Sequence, residues 1–250
     1  MASRNLDVGV ERTPGAAASP SFSAATRACV KLLHLFHRLR GFDRYDEFIV
    51  EHVYGIPILV TPSVFNPKRM RTGEFFVSQL DSSRIGPESE VLDMGTGSGV
   101  CAVFAARHAR RVVAVDINAS AVRCARINAL LNRAEGTVDV RHGDLFDPVA
   151  GERFDLILFN PPFKAGEARN DRDRAWRANG LGERFAEGLQ RHLKPGGAAL
   201  LLLSTFGDAQ IYLEPLRRGG HDVSPLAQRR YFGEHLTLYG LTAATTKGVT

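Results

Sequence analysis

Short, nearly uninterrupted apolar runs recur along the chain from residue 90 onward. They fall at 90–94 (EVLDM), 111–116 (RVVAVD), 138–141 (VDVR), 154–159 (FDLILF) and 198–204 (AALLLLS). Such runs predict strands buried on both faces of a parallel sheet. Between them lie segments with helical spacing at 100–106, 120–131, 181–193 and 208–218. In 120–131 the positions Val122, Ala125 and Ala129 face inward. Alternation of strand and helix predicts an α/β fold. Lys194-Pro195-Gly196-Gly197 predicts a turn before the 198–204 strand. Two last strands, at 221–226 and 235–241, predict an antiparallel edge.

Upstream of residue 89 the pattern changes. Residues 48–60 (FIVEHVYGIPILV) predict two short strands about a turn at Tyr54-Gly55. Residues 73–80 predict a helix capped by Thr72, with Glu74 in its first turn. In 24–40 the positions Leu32, Leu35, Phe36 and Leu39 form one apolar stripe, which predicts an amphipathic helix stopped by Gly41. Residues 1–23 are small and polar, with too little apolar bulk to offset the entropy of ordering, and read as a disordered tail. The chain thus divides into the tail (1–23), a helix, hairpin and covering segment (24–88), and a main domain (89–245).

Composition narrows the class. The 250 residues suffice for one large α/β domain with a modest appendage. No apolar run is long enough to span a membrane, and no basic segment followed by an apolar core opens the chain. The three cysteines form no CxxC pair, and a reduced, cytoplasmic protein is the expectation. A net charge of +5 permits contact with nucleic acid without requiring it.

The chemistry concentrates at two places. In Asp93-Met94-Gly95-Thr96-Gly97-Ser98-Gly99 a strand runs through glycines into a helix. Glycines allow the tight turn and clear Cβ atoms from a ligand's path, and a helix N-terminus offers N–H groups to a carboxylate or phosphate. The spacing is not the G-x-G-x-x-G of dinucleotide binders, and no Lys-Ser/Thr follows as in a P-loop. Asp93 before the glycines suggests a ligand carrying an ammonium as well as a carboxylate. A glycine-rich turn of some other α/β protein is the alternative. The second place is Asn160-Pro161-Pro162-Phe163. Two prolines cannot continue a sheet ladder, so the chain leaves the sheet there and displays Asn160 at the carboxyl edge, where open α/β sheets bind ligands.

Two acids follow in order. Asp116 ends the second strand, 17 residues beyond Gly99, where a carboxylate can accept from ribose hydroxyls. Asp144 lies in Gly143-Asp144-Leu145-Phe146 after the third strand. The long 164–180 loop holds four arginines and Trp176, the chain's only tryptophan. It reads equally as a cover over substrate or as a solvated loop.

DMGTGSG, VVAVD, GDLF and NPPF in this order resemble the S-adenosylmethionine-dependent N-methyltransferases of the HemK type, in their short branch. The resemblance covers roughly 48–241. It implies a Rossmann-like class I methyltransferase fold: a mainly parallel seven-stranded sheet with an antiparallel edge, plus a small N-terminal helix and hairpin extension. It implies S-adenosylmethionine as cofactor, held by Asp93, Gly95, Thr96, Gly97, Gly99, Asp116, Ile117, Asp144, Leu145 and Asn160. Asp144 would accept from the adenine amino group, with Leu145 packed on the ring. The segment around Thr72 would close over the cofactor.

It also implies the acceptor chemistry. The Asn160 side-chain oxygen and the Pro161 carbonyl would accept both N–H bonds of a planar nitrogen, and Phe163 would stack on its flat group. Pro162, Thr72 and Trp176 are the expected substrate contacts. No metal, covalent intermediate or strong base is expected. The implied partner is a protein of release-factor type, methylated on a glutamine amide. An RNA or DNA base amino group, a small metabolite, and a non-catalytic cofactor-binding subunit are the alternatives. Phe163 stands where glutamine methyltransferases usually carry Tyr, and NPPF is familiar among guanine-N2 rRNA enzymes.

Overall fold

Successive residues of the central strands point to opposite faces, so each strand feeds two cores. In the computed structural model, which describes residues 48–162, 180–231 and 233–243, Val91, Val112, Leu156 and Leu158 belong to one apolar cluster. Leu92, Val113, Ile157 and Phe159 belong to the other. Both sets are at most 5% exposed, which is why these strands read as unbroken apolar runs.

The elements follow in chain order. β1 (Ile49–Val53) and β2 (Ile56–Val60) form a separate antiparallel hairpin. α1 (Thr72–Val77), β3 (Glu90–Met94), α2 (Val100–Ala105), β4 (Arg111–Asp116), α3 (Ala119–Leu131) and β5 (Val138–His142) come next. β6 (Phe154–Phe159), α4 (Leu181–His192), β7 (Leu193–Ser204), α5 (Gln210–Arg218), β8 (His221–Tyr231) and β9 (Glu234–Ala243) complete them. The seven-stranded sheet has the order β5-β4-β3-β6-β7-β9-β8. Strands β3 to β7 are parallel, and β9 runs antiparallel to both β7 and β8. The α/β class, the parallel core and the antiparallel edge are as the pattern predicts.

The chain begins the sheet at β3, moves outward through β4 and β5, then returns to β6 on the other side of β3. The strand order therefore reverses between β3 and β6, which opens a crevice above their carboxyl ends. One face of the sheet packs α1, α2, α3 and the hairpin, and the other packs α4 and α5.

Three local expectations are corrected. Thr72 does not cap α1. Arg71 takes the N-cap position in the left-handed region (φ 60°), with its guanidinium 4.7 Å from the centre of the Tyr231 ring. Thr72 lies inside the first turn and is buried. The 194–197 turn is not a break between helix and strand: α4 runs directly into β7. A register shift against β6 absorbs those residues, and a Cβ on Gly197 would lie 2.9 Å from the Phe154 carbonyl oxygen. β8 extends past 226 to Tyr231, carrying Pro225 at a register shift, which an edge strand tolerates because one of its sides needs no donor. The Tyr54-Gly55 turn is as expected: φ is positive at both residues (44° and 80°), the pattern of a tight two-residue hairpin. The 1–23 tail, the 24–40 helix, Phe163 and Trp176 lie outside the described residues.

Candidate active site

The loop after β3 is fixed by its neighbours on either side. Gly95, Gly97 and Gly99 all have positive φ (64°, 56° and 80°). Thr96 N–H donates to the Val115 carbonyl at 3.0 Å, which ties the loop to β4. Gly99 caps α2, and a Cβ there would sit 2.9 Å from Ala125 Cα. Only glycine meets both the backbone conformation and the approach of α3.

Two carboxylates brace this loop. Asp93, buried, accepts through Oδ2 from Thr96 Oγ1 at 2.6 Å and from Ala102 N–H at 3.0 Å. One of the N–H groups that opens α2 is thus used by the protein itself. Burial pushes the Asp93 carboxyl up to about 7 against these hydrogen bonds, and the nearby Asp116 adds to the rise. Asp116 accepts from Gly97 N–H through Oδ2 at 2.9 Å and from Asn118 N–H through Oδ1 at 2.8 Å. Its carboxyl is also raised by burial, with the two hydrogen bonds opposing. Each oxygen keeps a second lone pair for a ligand hydroxyl.

The turn after β6 lies across the crevice. The parallel register pairs Asp93 with Leu158 and Met94 with Phe159, which sets Asn160 just past the end of β3. By the alternation along β6, Asn160 takes the face of Leu158, the side of α1 and α2. There its Nδ2 donates to Thr72 Oγ1 at 3.4 Å. Its Oδ1 is buried and has no hydrogen-bond partner. Buried carbonyl oxygens are rarely left so, and this one sits in the wall of a cavity.

The cavity measures about 390 Å³. It brings together Asp93, Gly95, Thr96, Gly97, Asp116, Ile117, Asp144, Leu145, Asn160, Pro161 and Pro162, all expected from the sequence. Gly99 and Thr72 do not line it: Gly99 packs on Ala125, and Thr72 accepts from Asn160 Nδ2. Ser63, Val64, Phe65 and Pro67, of the segment before α1, also line it, as does Gly73. Asp144 is not a free acid: it accepts from Arg184 at 2.8 Å, an ion pair reaching across from α4. Arg184, and Asn128 of α3, whose Nδ2 donates to the Ser98 carbonyl of the glycine loop at 2.8 Å, are site-supporting residues that no sequence motif marks. Three carboxylates against one guanidinium give the wall an anionic balance.

The model of the family "Methyltransferase small domain" matches residues 55–221. A ribosomal RNA small subunit methyltransferase C from Alcanivorax borkumensis is 34% identical over 142 residues, covering 56% of this chain and 40% of that protein. A release factor glutamine methyltransferase from Koribacter versatilis is 33% identical over 189 residues, covering 63% of this chain and 66% of that protein. The chain thus spans between two fifths and two thirds of the length of these curated relatives. Among solved structures, Trm5 from Methanocaldococcus jannaschii in complex with adenosine superposes with TM-score 0.59 at 15% identity, over 80% of this chain and 57% of that one. A ribosomal protein L11 methylase from Lactobacillus delbrueckii gives TM-score 0.53 at 19% identity, over 74% of this chain and 84% of that one. Likeness at these identities concerns the fold alone.

Proposed function

The chain belongs to the methyltransferase small domain family, and on that premise we propose that it transfers a methyl group from S-adenosylmethionine to a planar nitrogen. The observation that carries this reading is the unpartnered, buried Asn160 Oδ1 in the cavity wall, opposite the glycine loop. A buried acceptor with no donor in the protein suits a ligand N–H.

The residues fit the cofactor. The bare backbone at Gly95 and Gly97 makes one wall, and Asp116 has lone pairs left for ribose hydroxyls. Ile117, 41% exposed beside Asp116, and Leu145 offer apolar surface to a base. The anionic balance of Asp93, Asp116 and Asp144 suits a cationic ligand. S-adenosylmethionine, when bound, supplies a methyl group already activated by its positive sulfur.

The chain's own part is then positioning. Thr72 Oγ1 accepts from the Asn160 Nδ2, which leaves Oδ1 as the end of the amide presented to the acceptor. Oδ1 and the Pro161 carbonyl accept the acceptor's N–H bonds and aim its lone pair at the methyl group. Both oxygens would also stabilise the positive charge that grows on nitrogen as the N–CH3 bond forms and the S–CH3 bond breaks, with S-adenosylhomocysteine leaving and the extra proton of the nitrogen passing to solvent.

The acceptor we propose first is the side-chain amide of a protein glutamine, in keeping with the release factor relative. An RNA base amino group is the second reading, favoured by the ribosomal RNA relative. The test is methyl transfer from radiolabelled S-adenosylmethionine into protein, nucleic-acid and small-molecule fractions. Asn160→Ala is expected to abolish the label while keeping cofactor affinity. Equal loss of both would remove Asn160 from the acceptor role.

A further inference from the structure

The turn that presents Asn160 has little means of holding itself. Pro161 and Pro162 have no N–H, so neither can donate to the sheet or to a turn of its own. What fixes such a segment has to reach its carbonyls from outside. One group does so. The Tyr212 hydroxyl, on α5, donates to the Pro162 carbonyl at 3.0 Å.

Tyr212 is well placed to act as a fixed post. It is 2% exposed, and its ring meets Phe159 edge-on at 6.1 Å. Phe159 is the residue immediately before Asn160, and its ring in turn packs on Phe185 of α4 at 4.6 Å. The seat of α5 is set by Gly182 of α4, where a Cβ would lie 2.0 Å from the Ile211 carbonyl oxygen and 3.2 Å from Tyr212 Cα. Close approach of the two helices therefore fixes Tyr212 to the body of the domain. Burial raises its phenol well above the ordinary value, so the hydroxyl keeps its proton and remains a donor.

We infer that Tyr212 is a positioning residue for methyl transfer: its hydroxyl holds the Pro162 carbonyl, and through it the direction of the Pro161 carbonyl and the Asn160 amide. This rests on the acceptor role of the 160–162 turn proposed above. Tyr212 touches neither reactant; it removes freedom from the segment that does. A turn free to rotate by an ångström misaligns the acceptor nitrogen, and displacement of that size costs up to about a hundredfold in rate. The cofactor wall, built from the β3 and β4 ends, shares no hydrogen bond with Tyr212 and keeps its affinity.

The experiment compares Tyr212→Phe, Asn160→Ala and the unaltered full chain. It follows radiolabel from S-adenosylmethionine into the same fractions, with cofactor affinity by calorimetry and a thermal melt for each protein. Tyr212→Phe is expected to lower kcat about tenfold or more. Its cofactor Kd is expected to stay within about twofold of the unaltered chain's, with a folded melt. Turnover within about twofold of the unaltered chain, while Asn160→Ala is inactive, overturns the Tyr212 assignment alone. So does a loss of cofactor affinity that parallels the loss of turnover. Full activity in Asn160→Ala, or no label from the unaltered chain, instead overturns the acceptor reading beneath it. A second variant guards against a Phe substitution that fails to fold. A 4-aminophenylalanine at 212 preserves the ring and puts another donor in place of the hydroxyl. Its kcat is expected to stay within about threefold of the unaltered chain's. A loss of about tenfold or more with a folded melt and unchanged cofactor Kd overturns the assignment.

Discussion

Asn128 and Leu59, far apart in the chain, exchange a pair of hydrogen bonds. Leu59 N–H donates to Asn128 Oδ1 at 2.7 Å, and Asn128 Nδ2 donates back to the Leu59 carbonyl at 2.6 Å. The same amide donates to the Ser98 carbonyl of the glycine loop at 2.8 Å. One fully buried side chain on α3 thus fastens the hairpin on one side and the glycine loop on the other.

Asn128→Ala would leave the Leu59 N–H and the Ser98 carbonyl without this partner, while the Leu59 carbonyl keeps Cys124 Sγ as a donor at 3.2 Å. Buried groups stranded in this way cost about 1–3 kcal/mol each, partly relieved by relaxation, so a destabilisation of about 3 kcal/mol is expected. Because Ser98 loses its anchor, cofactor affinity is expected to weaken in the same variant. Denaturant unfolding and calorimetry measure the two effects.

Gly99→Ala meets two obstacles at once. Its φ of 80° is strained for any L side chain, and the added Cβ falls 2.9 Å from Ala125 Cα and 3.0 Å from Ala125 Cβ. Both contacts are with one residue of a packed helix that cannot swing aside. A loss of about 2–4 kcal/mol is expected. Gly136→Ala, where the new Cβ meets nothing within 4 Å, is the matched control and is expected to be near neutral.

Asp93 is expected to make stability and S-adenosylmethionine affinity depend on pH in opposite senses. Its folded pKa, about 7, stands above the ordinary 3.8, chiefly because burial disfavours the charged form. The folded state therefore binds the proton more tightly than the unfolded chain. This contribution to stability is complete below about 4 and is lost as pH rises toward 7. A cationic ligand favours the ionised form, so affinity for S-adenosylmethionine is expected to rise with pH across the same window, with proton release on binding. Asp93→Asn is expected to flatten both profiles and to raise the stability of the free protein at pH 8 by on the order of 1 kcal/mol or more. Melts and calorimetry in buffers of differing ionisation enthalpy check this.

Asp144 separates a structural role from a binding one. Its ion pair with Arg184 is largely open to solvent, with side-chain exposures of 35% and 49%. Such pairs contribute about 1 kcal/mol or less. Asp144→Ala is therefore expected to leave the melt almost unchanged. A several-fold weaker cofactor affinity in the same variant would support the adenine contact, and unchanged affinity would reduce Asp144 to a partner of Arg184.

The sequence determined the sheet and the identity of the groups at its edge. Strands buried on both faces are apolar at nearly every position, so β3, β4, β6 and the straight part of β7 are legible as runs. Glycines at alternate positions and a double proline are local constraints on the backbone, and they marked two of the loops that line the cavity. Only the tertiary structure decided how those groups are held. The register of β6 on β3 put Asn160 opposite the glycine loop, and alternation along the strand turned it toward Thr72. Asn128, Arg184 and Tyr212 act on partners 69, 40 and 50 residues away, and an asparagine, an arginine or a tyrosine on a helix carries no local sign of its partner. The KPGG segment shows the converse: its turn chemistry is real, but pairing with β6 absorbs it into β7. Local sequence specifies what the backbone can do at each point. Packing of the helices on the sheet decides which of those possibilities meet.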